Sequence, residues 1–167
     1  MASSSTIVMG LVALVFCTWS VSLAGIASIQ DKCEPGWSTA LSGIAGFSSG
    51  LPCMRLFRYY WFIVSLEAVL IFGLAGALAA GAFAKTRSAW LGLFCVGTLL
   101  YIQMTNTFLT MQSQTDDSTD SIKHRVRTMV AGSIMTATVN CFLIIALGTT
   151  EEAAPAEAAV AEKAAAV

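Results

Sequence analysis

Four stretches of this chain are almost continuously apolar, at residues 7–29, 59–83, 89–111 and 128–148, with polar runs between them. Each reaches the length of roughly 20 residues that a helix needs to cross a bilayer. Pro35, Pro52 and Pro155 all fall outside the four stretches, so uninterrupted helices fit them. The pattern predicts an all-α, integral membrane four-helix bundle occupying residues 1–148. An Ala/Glu-rich tail at 149–167 is expected to be mobile.

Composition points the same way. Hydrophobic residues make up 56% of the 167 and charged residues only 11%. A soluble domain of this size has no room to bury so much apolar surface, which makes the lipid bilayer the expected solvent. The formal net charge of -1 leaves no basic field for nucleic acid, and no nucleic-acid partner is expected. The first stretch also invites comparison with a secretory signal, because Ala24-Gly25-Ile26-Ala27-Ser28 resembles a cleavage site. The leading Met1-Ala2-Ser3-Ser4-Ser5 lacks Lys and Arg, however, and the apolar run exceeds a signal core, so a retained helix is expected.

Orientation sets two rules against each other. Lys32, Arg55, Arg58, Lys123, Arg125 and Arg127 put six basic residues in the first and third loops, against three (Lys85, Arg87 and Lys163) on the other side. Counted alone, that bias places the first and third loops in the cytoplasm. Cys33 and Cys53 argue the reverse. They are the two cysteines outside the apolar stretches and share the first loop, as a disulfide on an oxidising face requires. Two unpaired thiols in a cytosolic loop are the alternative. The expectation adopted is cytoplasmic termini, with Cys33–Cys53 as the disulfide candidate. Tyr59, Tyr60, Trp61 and Trp90 stand where interfacial aromatic rings belong, and Lys85-Thr86-Arg87 reads as a tight basic turn.

Candidate chemistry centres on Glu67. It lies within the second stretch, about 12 Å below the helix start at the usual rise per residue. A carboxylate at that depth must be paired, protonated or facing water. Counting residues from the loop side places Gln103, Asn106, Ser20 and Ser22 near the same level, and Asn140 deeper toward the other face. In one reading these amides bond a protonated Glu67 and hold the helices together. In the other, Ser20, Ser22, Glu67, Gln103 and Asn106 line a route for a small solute, with Arg55 and Arg58 drawing anions to its mouth. The small residues Gly73, Gly76, Gly81, Ala75, Ala77, Ala79 and Ala80 favour close helix packing, within one bundle or between protomers.

Enzyme chemistry finds little support. The single histidine, His124, sits beside Arg125 in a polar loop, and the cysteines lack metal-ligand spacing. No Gly-rich phosphate loop precedes a lysine, and Asp116, Asp117 and Asp120 lack the pattern of a calcium loop. Catalysis, metal and cofactors are therefore not expected.

The run Thr18-Trp19-Ser20-Val21-Ser22-Leu23-Ala24-Gly25-Ile26-Ala27, the Cys33 loop and Phe57-Arg58-Tyr59-Tyr60-Trp61-Phe62 resemble the low-CO2-inducible four-helix plasma-membrane proteins of green algae. That resemblance covers residues 7–148. It implies an oligomeric plasma-membrane channel for inorganic carbon, CO2 or bicarbonate, with the first loop outside. The chain is more loosely similar to MARVEL-type and Casparian-strip-type tetraspan scaffolds. It departs from the latter because its first stretch contains no charge. The two functional expectations are thus a homo-oligomeric channel for a small solute and a scaffold organising membrane partners.

Overall fold

A computed structural model describes residues 4–33, 41, 43, 44, 47, 51–114 and 120–149. The Ala/Glu-rich tail beyond 149 lies outside the described residues. Four long helices carry the apolar stretches: α1 (Ser4–Asp31), α3 (Arg58–Ala79), α4 (Phe83–Gln114) and α5 (Asp120–Thr149). A single-turn helix, α2 (Cys53–Leu56), leads into α3. All four long helices have the length and apolarity to cross a membrane. The protein is an all-α membrane bundle, and no strand occurs among the described residues.

The outer surface confirms the solvent. Val69 is 67% exposed, Leu99 66% and Phe72 60%, and Phe62, Phe142 and Ile145 also face outward. So broad a display of large apolar side chains would drive aggregation in water, whereas hydrocarbon accommodates it.

The helices pack as a ring in which α1 contacts α3, α3 contacts α4, α4 contacts α5, and α5 closes back on α1. In that arrangement α3 and α5 stand opposite each other across the bundle axis. The tightest approach is between α1 and α5. A methyl group on Gly25 would lie 2.7 Å from the Cα of Met129, and one on Gly132 would lie 2.7 Å from the backbone nitrogen of Ser22. Two backbones come that close only where side chains are missing on the facing surface. The small residues of α3 serve a different contact. Gly73 leaves room for the ring of Trp90, 2.5 Å from where a Cβ would stand, and Gly76 faces open space.

The turn between α3 and α4 falls earlier than expected. Gly81 adopts φ of +68°, Gly81 N donates to Leu78 O and Ala82 N donates to Ala77 O, which is the Schellman closure of a helix. α3 therefore stops at Ala79, and Lys85-Thr86-Arg87 belongs to the first turns of α4 rather than to a loop. Trp90 accordingly lies two turns into α4, donating from Nε1 to Thr86 Oγ1 at 3.0 Å.

Basic side chains terminate two helices. Arg87 donates from Nε to Leu147 O at 2.5 Å and from Nη2 to Gly148 O at 3.1 Å. On the loop side Arg125 donates from Nη1 to Ser28 O at 2.7 Å and approaches Asp31 at 3.8 Å. Both guanidinium groups meet the carbonyl ends of helices, where the helix dipole favours positive charge.

The described residues of the first loop pack onto the loop-side end of the bundle. Leu41, Ile44 and Phe47 are buried, and Phe47 packs edge-on against Phe57 and Phe108. A disulfide joins Cys33 to Cys53 across 20 positions, with Cα atoms 5.8 Å apart. Closing a loop of that length is expected to contribute about 3 kcal/mol. Cys33→Ser should therefore lower the unfolding midpoint of the detergent-solubilised protein. A midpoint equal to that of the wild type under oxidising conditions would remove the bond from the stability argument.

Candidate functional site

The interior of the bundle has three levels. On the loop side an apolar cluster includes Ile26, Ile29, Phe57, Tyr60, Met104, Phe108 and Met129. On the side of the termini a second cluster includes Val8, Val12, Val15, Leu70, Leu74, Phe94, Leu143 and Leu147. Between them lies a buried polar layer of Ser22 from α1, Glu67 from α3, Thr98 from α4, and Ser133, Thr136 and Asn140 from α5. Tyr101 of α4, fully buried, extends it.

Helical spacing explains the alignment. Glu67 follows Tyr60 by seven residues, and Thr98 is followed by Tyr101 three residues later. Ser133, Thr136 and Asn140 recur at three and four. Each set shares one helix face. Several of the hydroxyls donate to their own helix, Thr98 to Phe94 O at 2.7 Å, Ser133 to Val130 O at 3.0 Å and Thr136 to Gly132 O at 2.9 Å. Ser22 Oγ meets Thr136 Oγ1 at 3.4 Å, beside the Gly132 crossing that brings α1 and α5 together.

At the centre, Asn140 Nδ2 donates to Glu67 Oε1 at 2.8 Å. The other carboxylate oxygen, Oε2, rests over Gly97 of α4, where a Cβ would stand 3.0 Å away. Glu67 is 1% exposed, too buried for water to solvate its charge. Among the described residues, the buried atoms Glu67 Oε2, Asn140 Oδ1, Tyr101 Oη and Tyr60 Oη make no close hydrogen bond. Tyr101 lies beside Ser22 and within electrostatic reach of Glu67, and Tyr60 lies beside Thr107. Unpaired buried polar groups are costly, which sets this layer apart from the apolar clusters on either side of it.

The residues singled out from sequence are only partly brought together. Ser22 and Glu67 lie in the interior layer. Ser20 is partly exposed and bonds Phe16 O of its own helix. Gln103 faces outward and accepts from Tyr59 Oη at 3.3 Å, and Asn106 is exposed. Asn106 edges an open groove of about 310 Å³ between α4 and α5, together with Ile102, Thr105, Leu109, Ile134, Ala137 and Thr138. Arg55 and Arg58 are exposed on the loop side. Counting down from helix ends places Gln103 beside Glu67 but says nothing of rotation about the helix axis. α4 presents Phe94, Thr98, Tyr101, Met104 and Phe108 inward, which turns Gln103 and Asn106 away.

Asn140 is the partner that counting assigned to the opposite half of the membrane. The three- and four-residue steps of Ser133, Thr136 and Asn140, read as one face of α5, were the available signal. Tyr101 carried no sequence signal apart from its place three residues after Thr98.

No known protein family matches the chain by sequence, and no curated protein matches it. Among solved structures the fold is shared with the LCI1 channel of Chlamydomonas reinhardtii. That likeness has a TM-score of 0.71 at 18% sequence identity and covers 89% of this chain and 100% of the channel. The four-helix bundle is therefore a fold that a membrane channel also adopts.

Proposed function

We propose that this protein forms a passive route across a membrane for a small neutral solute, with CO2 as the leading candidate. The observation that carries the reading is the buried polar layer, whose unpaired oxygens sit between two apolar clusters. Such a layer gives a small molecule a resting place midway, and the flanking apolar levels exclude bulk water and ions.

The layer's chemistry bears on the form of the solute. It offers hydroxyls and acceptor oxygens, and Glu67 is the one charged side chain among the buried described residues. An anion entering it would meet acceptors and no buried cation, which disfavours bicarbonate relative to CO2. Arg55 and Arg58 still attract anions to the loop-side surface, where bicarbonate could be held close to the entrance. The shared fold with a protein described as a channel supports the same reading. A homo-oligomer in the plasma membrane, with termini in the cytoplasm and the disulfide loop outside, completes it. The Cys33–Cys53 bond favours that orientation, because disulfides persist on oxidising faces.

The second reading, a tetraspan scaffold, draws on the outward Gln103 and Asn106 and the groove beside Asn106, which present polar side chains at a lipid-facing surface. Flux separates the two. In proteoliposomes of low intrinsic CO2 permeability, the wild type should raise CO2 flux above empty vesicles, and Glu67→Gln should change it. Correctly folded protein with no excess flux would transfer the assignment to the scaffold.

A further inference from the structure

The bond between Glu67 and Asn140 joins α3 to α5, the helices that face each other across the bundle axis. It therefore crosses the route proposed above at mid-depth. One half of the contact is made, Asn140 Nδ2 to Glu67 Oε1 at 2.8 Å. The two remaining atoms of the same pair of groups, Glu67 Oε2 and Asn140 Oδ1, are both acceptors, both buried and both unpartnered. Two acceptors left over from one carboxyl–carboxamide pair lack a single hydrogen between them. A proton on Glu67 supplies it. With Oε2 turned from Gly97 toward Asn140, the carboxyl O–H would donate to Oδ1 while Asn140 Nδ2 donates to Oε1, closing the two groups into a doubly bonded ring.

We propose that Glu67 and Asn140 form a proton-binding site, a one-proton latch that holds α3 and α5 together across the axis. This deepens the channel reading and uses the same layer. With the proton bound, the pair is neutral and both bonds are made, so the axis is crossed by a closed ring. To open, the O–H bond of Glu67 breaks heterolytically. The electron pair stays on the carboxylate and the proton leaves to water. One of the two cross-axis bonds is then lost, and a buried charge draws water into the layer.

The surroundings favour this assignment. From α1 the facing group is Ser22, and from α4 they are Tyr101 and Gly97. Neither Ser22 nor Tyr101 supplies a positive charge. No lysine or arginine is among the buried described residues. The bare Cα of Gly97 leaves space for the carboxyl to lie against α4. Glutamine at position 67 would reproduce the ring without a titratable proton, since its amide donates to Oδ1 and its carbonyl accepts from Nδ2.

The test is infrared difference spectroscopy of the full chain in bilayers, read at the C=O stretch of a protonated carboxylic acid. Near neutral pH the wild type should show this band, Glu67→Gln should lose it, and Asn140→Leu should shift it. Asn140→Thr, which retains one hydrogen-bonding group but cannot close the ring, should shift it as well and serves if the leucine variant does not fold. No protonated-carboxyl band in the folded wild type would overturn the proposal, as would a band unmoved by both Asn140 variants. In flux measurements the wild type should conduct more as pH rises and Glu67→Gln should not respond to pH. A protein that shows the band behaviour and carries no solute retains the proton site and loses the channel.

Discussion

Replacing Gly132 with valine (Gly132→Val) should destabilise the folded bundle by more than about 3 kcal/mol, the upper end of what overpacking costs. Any Cβ there meets the backbone nitrogen of Ser22 at 2.7 Å and its Cα at 2.9 Å. A flexible side chain can swing aside, but backbone cannot, so relief requires α1 and α5 to separate. That separation would also break the contact between Ser22 and Thr136 and empty one wall of the polar layer. Gly25→Val should behave alike, since its Cβ would lie 2.7 Å from the Cα of Met129. Gly76→Ala is the control. Nothing stands within 4 Å of a Cβ at that position, and its effect should stay within about 0.5 kcal/mol. Unfolding in detergent, read as loss of the monodisperse species on heating, ranks the three. Equal midpoints for Gly132→Val and Gly76→Ala would mean that the α1–α5 crossing does not depend on a bare Cα at Gly132.

The second large effect is expected at Asn140. Asn140→Leu keeps the number and branching of the side-chain heavy atoms and strips Glu67 of its described hydrogen bond. A buried polar group left without a partner costs about 1–3 kcal/mol, and more if it carries charge. Removing both partners is a different matter, because the penalty belongs to the orphan rather than to the missing bond. Glu67→Leu/Asn140→Leu should thus be less destabilised than the sum of the single variants. The coupling should be about 1–2 kcal/mol, above the average for interhelical bonds in lipid because both groups are enclosed. A double-mutant cycle on equilibrium unfolding measures it. Strict additivity would show that the two side chains do not interact.

The two predictions differ in how far the sequence anticipates them. Glu67 announces itself, being the one carboxylate in four apolar stretches, and its burial follows from the scarcity of any other place to put it. Asn140 is equally visible as a residue, yet its pairing with Glu67 is not. Depth estimates from helix ends accumulate error when the ends move. α4 begins at Phe83 rather than near 89, and α3 stops at Ala79 rather than 83. A shift of a few residues displaces a side chain by several ångströms and, at about 100° per residue, also turns it to another face. The packed face of α4 leaves Gln103 and Asn106 outward, and that of α5 turns Asn140 inward.

The glycines teach a related point. A cluster of small residues in α3 draws the eye, but its Gly76 meets nothing and its Gly73 receives a ring. Gly25 and Gly132, on the other helices, mark the close backbone crossing of α1 and α5. Density of small residues reports what a helix permits, and the crossing point depends on which neighbour it faces.

Length, apolar runs and the absence of proline within them determined by themselves that the chain makes four membrane helices in a single bundle. Each helix satisfies its own backbone in lipid, and that requirement is local. The sharing of one loop by Cys33 and Cys53 made their pairing available in the same local way. Only the tertiary structure decided which helices are neighbours, which face each turns inward, and that Glu67 meets Asn140 across the axis. In lipid the apolar side chains are nearly indifferent to which way they point. Helix rotation is therefore set by close packing at two glycines and by a few buried polar contacts, and those exist only once the helices are assembled.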